Sequence, residues 1–381
     1  MTGLKFTTSV DVLRDAASRV SGAVEPNSER PVLANLLITA KDNVVRLAAT
    51  DCRVSIVYEV SPAAVMSEGQ GLINANKFLQ ILKLFRDVEA EVSSNDRGHF
   101  TFKAPGASYK IPGDDVRDYP PIKGALGNHA VEIAAAELVR LFDQTTVAAA
   151  IDGQRYAIDG ICVKHEGTTL RFAATDARRI AVSEAEVKSS CPPFAEIIRA
   201  KSAKALLKVV GKSSTFDVRL AVVGSHLVFC FPKGVVSCNL LNGKFPPYED
   251  IFQLSLPQAV DLDVHTFDTL LRRSSLLEDS ETAFNFSTDN LQLQTTSKVE
   301  GESIADIPVS YSGPAVRIGF IPSLWLDGVA VLPGTECRFR FDNHLRAGLM
   351  LPLVTASDGT KSESTSFRYY VMPYRLNGEG E

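Results

Sequence analysis

Apolar residues along this chain follow two alternating rhythms. Leu4-Lys-Phe-Thr-Thr8 alternates residue by residue, which suits a strand buried on one face. From Val10 the period lengthens. Val12, Leu13, Ala16, Ala17 and Val20 keep i, i+3/i+4 spacing and predict a helix over Val10–Val20, with Ser9 as its candidate N-cap. Strands are expected at Asn35–Thr39, Val44–Ala49, Arg53–Val60 and Gly71–Ile73. A second helix over Asn76–Arg86 sets Lys77, Gln80, Lys83 and Arg86 against an apolar face of Phe78, Leu79, Ile81, Leu82 and Phe85. Alternating runs at Val88–Val92, Gly98–Lys103 and Ser108–Ile111 follow.

The same grammar returns twice. Strand Ala130–Ile133 leads to helix Ala135–Val147, strands Gly160–Lys164, Thr169–Ala174 and Ile180–Val187, helix Lys201–Val210 and further strands to Leu241. A third, more drifted copy has strand Val260–Val264, helix Thr266–Leu277 and strands Ala283–Ser287, Leu291–Thr295 and Ser303–Tyr311. Its second helix, Pro322–Leu332, opens on a proline at the favoured first position, and its last strands end in Phe367–Arg375.

The clearest internal echo is Arg46-Leu-Ala-Ala-Thr-Asp51 with Arg171-Phe-Ala-Ala-Thr-Asp176, 125 positions on. Leu79-Gln-Ile-Leu82 falls on Lys204-Ala-Leu-Leu207 at the same offset, and Tyr119-Pro-Pro121 on Phe245-Pro-Pro247 one position further. A recurring offset of this size marks duplicated units. The expectation is an α+β protein of three repeated domains, 1–124, 125–254 and 255–381, each with two helices packed on antiparallel sheets. Linkers are short, at Pro121–Asn128 and Phe252–Gln258, and only the tail Asn377–Glu381 is polar enough to fray.

Composition changes this picture little. The chain is 45% hydrophobic and 22% charged, and it opens with neither a basic-then-apolar leader nor an apolar run long enough to span a membrane. Six scattered cysteines without a CxxC read as buried thiols in a reducing cytoplasm, so a cytoplasmic location is expected. A net charge of −5 argues against nucleic acid until charge is read by segment. The six predicted helices are net positive within that acidic chain. Lys201, Lys204 and Lys208 lie along one face of one helix, opposite Ala203, Leu206, Leu207 and Val210. Such faces are either merely solvated or track phosphates without reading bases.

Candidate chemistry is sparse. Thr50-Asp51 and Thr175-Asp176 suit turns in which the short side chains bond nearby backbone better than they suit catalytic carboxylates. The six histidines are isolated, and no HExxH, glycine-rich phosphate loop or nucleophile elbow occurs, so no catalytic residue, metal or cofactor is expected. Two classes remain on the residues alone: a non-enzymatic DNA clamp, or an enzyme or receptor of repeated domains acting on an acidic polymer.

Arg30-Pro-Val-Leu-Ala-Asn35, the two Ala-Ala-Thr-Asp motifs, Gly243-Lys-Phe-Pro246 and the ending Tyr370-Val-Met-Pro-Tyr-Arg-Leu376 occur in this order within a threefold repeat. In this the chain resembles, over essentially its whole length, the bacterial replicative sliding clamp, the beta subunit of DNA polymerase III. The resemblance implies a homodimer of three-domain subunits forming a six-domain ring around duplex DNA, which tethers the replicative polymerase and docks the clamp loader and repair proteins. It implies DNA contacts at Arg30, Arg155, Tyr156, Lys201, Lys204 and Lys208. A peptide pocket is implied at Ile158, Thr175, Ala177, Arg179, Ile180, Pro246 and Ile251, joined by Tyr370, Met372, Pro373, Tyr374 and Arg375. In that pocket Arg179 and Arg375 are expected to hold the peptide, with Tyr374 narrowing the opening or covering it as a lid. The subunit interface is expected to set Tyr109 and Ile111 against Leu276 and Leu277, with Lys77 facing Glu300, Glu302 and Asp306. The chain departs from the family pattern in four places. Ala177-Arg178-Arg179 replaces Gly-His-Arg, Tyr374 a methionine and Tyr370 a small aliphatic residue, while Asp250 stands where some members carry a basic residue.

Overall fold

A computed structural model describes residues 3–60, 64–122, 126–127, 129–150, 160–211, 215–278 and 280–376. The tail 377–381 and part of the first linker lie outside them. Among the described residues the α-helices are α1 (Val10–Val20), α2 (Ala75–Leu82), α3 (Ala135–Thr146), α4 (Ala200–Val210), α5 (Val264–Ser274) and α6 (Pro322–Val329). None of these is long and apolar enough to cross a membrane.

The helix predictions hold as elements, and their ends move for local reasons. Ser9 occupies the N-cap position of α1, but its hydroxyl makes no capping bond, contrary to expectation. Asn74 does cap α2, accepting from Lys77 N. That helix stops at Leu82 rather than Arg86, and Asp87 adopts a positive φ of 51°. Phe85 turns instead onto Phe102 and Tyr109. α5 begins before Thr266 because Asp263 caps it, its Oδ1 accepting from Thr266 N at 2.8 Å.

The chain forms two compact units. One comprises Met1–Val139, Val187–Pro192 and Ile198–Leu240; the other comprises Arg140–Glu186, Pro193–Ile197 and Leu241–Glu381. The first holds a five-stranded antiparallel sheet ordered Ala64–Ser67, Lys5–Ser9, Glu89–Ser94, Phe100–Ala104, Ala107–Ile111. Its ten-stranded sheet runs unbroken from repeat one into repeat two, because Val54–Val60 pairs antiparallel with Gly234–Asn239.

The second unit repeats the device. Arg179–Glu186 pairs with Phe367–Val371 and joins repeat two to repeat three in one large antiparallel sheet. Its four-stranded sheet is ordered Gly301–Pro308, Asn290–Ser297, Ser280–Ser287, Val316–Gly319. The core here is aromatic: Trp325 lies 4.6 Å from Phe339 between ring centroids, and Phe286 stacks on Phe341 at 3.8 Å. Gly328 lets α6 approach Tyr369, since a Cβ there would lie 2.5 Å from the ring. The strand predicted to run to Arg375 ends at Val371, since Pro373 has no N–H to continue a ladder. Strands Ala64–Ser67, Phe194–Arg199 and Val316–Gly319, which the alternation does not announce, complete the sheets.

Candidate functional sites around a repeated turn

Each Ala-Ala-Thr-Asp motif ends a strand in a tight turn. Asp51 Oδ1 accepts from Arg53 N at 2.9 Å and Val54 N at 2.7 Å, while Thr50 Oγ1 accepts from Cys52 N at 3.0 Å. In the second copy Asp176 Oδ1 accepts from Arg178 N at 2.9 Å and Arg179 N at 3.0 Å, and Thr175 Oγ1 from Ala177 N at 3.1 Å. These carboxylates organise backbone. A third copy, not legible in the sequence, is Ser297-Lys-Val-Glu300, where Ser297 Oγ accepts from Val299 N and Glu300 N at 3.4 and 3.3 Å. A hydroxyl replaces the carboxylate, and one residue is added before the next strand.

The turn forces the residue after the aspartate into left-handed backbone, with φ 65° at Cys52 and 73° at Ala177. A side chain there costs about 1–2 kcal/mol, against roughly 0.5–1 kcal/mol for the extra entropy glycine loses. Ala177→Gly is therefore expected to stabilise the protein by up to about 1 kcal/mol, read as a higher denaturant midpoint. A lower midpoint would show that the turn is unstrained.

The turns sit where one repeat joins the next. Asn239 N donates to Arg53 O and Met372 N to Arg178 O, both at 2.8 Å. The strand registers agree: Ser55 faces Ser237 as Ile180 faces Tyr370. Each aspartate also holds a cation. Asp51, with its side chain only 3% exposed, has Lys201 Nζ 3.6 Å from Oδ2. Asp176 Oδ2 accepts from Arg179 Nε at 3.0 Å.

On the first unit, Lys201, Lys204 and Lys208 are exposed along α4, opposite buried Ala203, Leu206, Val209 and Val210. Lys208 Nζ donates to Ser21 Oγ at 2.9 Å. Partial desolvation and the charge of Lys83, just past the end of α2, lower its pKa. Lys77, Lys83 and Arg30 are exposed as well. Arg155, Tyr156 and Ile158 lie outside the described residues.

The peptide-pocket residues are partly gathered in the second unit, with two corrections. Arg179 is not free to grip a ligand: Nη1 donates to Asp327 Oδ2 at 2.5 Å and to Tyr369 Oη at 3.1 Å, in addition to the Asp176 bond. Tyr374 is not a lid. Its N donates to Gly319 O at 2.9 Å, and its hydroxyl pairs with the backbone N and O of Thr282, so the ring is strapped to the four-stranded sheet. Ile180 and Ile251 pack against a cluster of Leu256, Ala347, Leu349, Leu351 and Tyr370. Met372, Arg375 and Ala177 are exposed, and Pro246 and Pro373 are half-buried. A cleft of about 290 Å³ lined by Cys162, Ile197 and Phe245–Tyr248 shares only Pro246 with this set.

For the proposed interface, Tyr109 is half-buried but Ile111 is buried, so its side chain belongs to its own sheet and has little to offer a second copy. Leu276 is 76% exposed and Leu277 half-buried. Glu300 accepts from Glu278 N at 2.7 Å; Glu302, Asp306 and Lys77 are exposed. Leu84, 67% exposed beside Phe85, stands on the polar face of the predicted helix between Lys77 and Gln80, and that break in the pattern is its signal; Lys110 carries none because it keeps the strand's alternation.

Three repeated α+β segments, joined by continuous sheets and bearing structural rather than catalytic aspartates, define a clamp-type fold. Residues 4–123 match the model of the DNA polymerase III beta subunit N-terminal domain, and residues 132–247 that of its central domain. The chain belongs to the DNA polymerase III beta subunit family. It is 24% identical over 379 residues to the beta sliding clamp of Pseudomonas aeruginosa, covering 98% of this chain and all of the relative. A beta sliding clamp homolog of Streptomyces muensis is 24% identical over 378 residues, with the same coverage. Solved relatives include the Pseudomonas aeruginosa clamp bound to griselimycin (TM-score 0.89, 24% identity) and the Bacillus subtilis clamp (TM-score 0.89, 21% identity). Each aligns with 98% of this chain and all of its own.

Proposed function

We propose that the chain is a non-catalytic sliding clamp: two copies close head to tail into a ring of six domains that encircles duplex DNA and tethers DNA polymerase III. The subunit division is 1–124, 125–254 and 255–381. The observation that carries this reading is the join between repeats, built twice inside the chain and left open a third time. Strand Gly301–Pro308 follows the third turn and ends its sheet, with Val299 90% exposed. Strand Ala107–Ile111, the hairpin counterpart of Gly234–Asn239, ends another sheet.

Extending the internal register supplies the pairing between copies. Thr296 faces Glu302 as Thr175 faces Ile180, and Ala104 faces Ala107 as Phe231 faces Gly234. Glu302 of one copy then meets Lys110 of the other, Gly301 meets Ile111, and Ser303 meets Tyr109. Opposite charges fall across the strands, and two free sheet edges are removed. Lys77 faces the acidic rim of Glu300, Glu302 and Asp306. Arg30, Lys201, Lys204 and Lys208 line the hole and track phosphates without reading sequence, and the DNA contacts expected at Arg155 and Tyr156 belong to the same proposal. The second unit receives short apolar peptides of the polymerase, the clamp loader and repair proteins between Thr175–Ile180, Pro246–Ile251 and Tyr370–Arg375.

Enclosure is tested by topology. Protein loaded onto a closed circular duplex should co-elute with it and be released when one double-strand cut is made. Equal retention on circular and linear templates would reject the ring.

A further inference from the structure

We infer that Tyr370 sets which peptides this chain accepts, by filling with its own ring the apolar floor where a large anchor side chain would otherwise seat; the inference rests on the peptide site proposed above. Tyr370 is only 2% exposed. It pairs with Ile180 across the join of repeats two and three. Its ring stacks on Phe252 at 6.4 Å between centroids, tilted by 27°. Leu256, Ala347, Leu349 and Leu351 pack around it, and Ile180 and Ile251 close against the same cluster.

Phe252 is itself fixed. The guanidinium of Arg368 lies 4.7 Å from its ring centre and that of Arg171 5.7 Å, and Glu184 Oε1 accepts from both arginines, at 2.7 and 2.8 Å. The ring is thus held by a cation-backed phenylalanine and by a leucine cluster, and close packing of this kind opposes its swinging out. Burial also pushes its phenol pKa up to about 12. The floor is thus shallow, and the ligand class it fits is a peptide with a small aliphatic anchor. A leucine-phenylalanine end remains largely in water and gains little from binding.

The test compares two synthetic peptides, Gln-Leu-Ser-Leu-Phe and Gln-Leu-Ser-Val-Ala, by calorimetry against the full chain. The unaltered protein should bind the two within about threefold of one another. Tyr370→Val vacates the ring's volume and should tighten the Leu-Phe peptide about tenfold, since one more large side chain is taken from water, leaving the Val-Ala peptide unchanged. Tyr370→Phe keeps the ring and should leave both affinities as they were. If Tyr370→Val lowers the melting temperature enough to compromise folding, Tyr370→Leu makes the same comparison with a smaller void. Two results overturn the inference: a strong preference of the unaltered chain for Leu-Phe, or an unchanged ratio in the folded variants. Binding of neither peptide to any variant rejects the peptide site itself.

Discussion

A chain carrying Leu276→Ala and Leu277→Ala is expected to run as a monomer at micromolar concentration in size-exclusion chromatography with light scattering, where the proposed ring requires the unaltered chain to run as a dimer. Leu276 is a large apolar side chain left in water just beyond the last turn of α5. Burying it stabilises association by roughly 1.5–3 kcal/mol. A head-to-tail pair closes through two identical interfaces, so the loss counts twice. At about 1.4 kcal/mol per tenfold, that weakens the dimer by a factor of roughly 10²–10⁴. The register adds a sharper arm. Lys110→Glu sets like charges opposite one another at Glu302 and should also yield monomer, whereas Lys110→Glu combined with Glu302→Lys should restore the dimer. Failure of that rescue, with each variant folded, would reject the register. An unchanged mass for the double leucine variant would reject the interface.

The repeat was legible because it is written in backbone requirements. A strand that ends in Thr-Asp before a left-handed residue needs those side chains wherever it recurs, so Asp51 and Asp176 can be matched by eye. The third turn is hidden because Ser297 accepts from the turn's backbone with a hydroxyl instead of a carboxylate, and an added residue shifts the strand that follows. Helix faces were legible for the usual periodic reason; helix ends were not. Phe85 leaves α2 to join Phe102 and Tyr109, a tertiary preference that no local pattern encodes.

At the peptide site the residues could be carried over from a resemblance, but their states could not. The sequence places Arg179 beside a cleft; only the fold brings Asp327 and Tyr369 to its guanidinium. Burial opposes that charge, yet Tyr369, Asp327 and Asp176 more than compensate and raise its pKa. Arg179 is therefore a tie between repeats two and three; of the two arginines expected to hold a peptide, Arg375 is the exposed one. Tyr374 illustrates the same limit. Its size suggested a lid, but a phenol can bond a backbone N–H and C=O together, and Thr282 offers both.

Removing the positive charge of α4 is expected to weaken the hold on DNA and shorten retention on a circular template while leaving the dimer intact. The three lysines are not equivalent. Lys204 projects from the exposed face, and Lys208 makes one bond to Ser21. Lys201 stands 3.6 Å from the buried carboxylate of Asp51, which also holds the turn between Thr50 and Val54. Lys201→Glu would bring a second negative charge against that buried group and damage the join between repeats one and two, confusing a DNA effect with a folding one. The informative variant is therefore Lys201→Gln with Lys204→Glu and Lys208→Glu, since glutamine removes the charge without setting a second carboxylate against Asp51. Each lysine–phosphate pair removed flattens the dependence of log affinity on log salt by about 0.9. Three lysines in each of two subunits should thus reduce the slope by as much as about five if all six meet phosphate, and the residence time on a circular template should fall with it. Light scattering and the melting temperature should match those of the unaltered chain. A variant that remains dimeric and stays on circular DNA with an unchanged salt slope would show that α4 does not face the duplex.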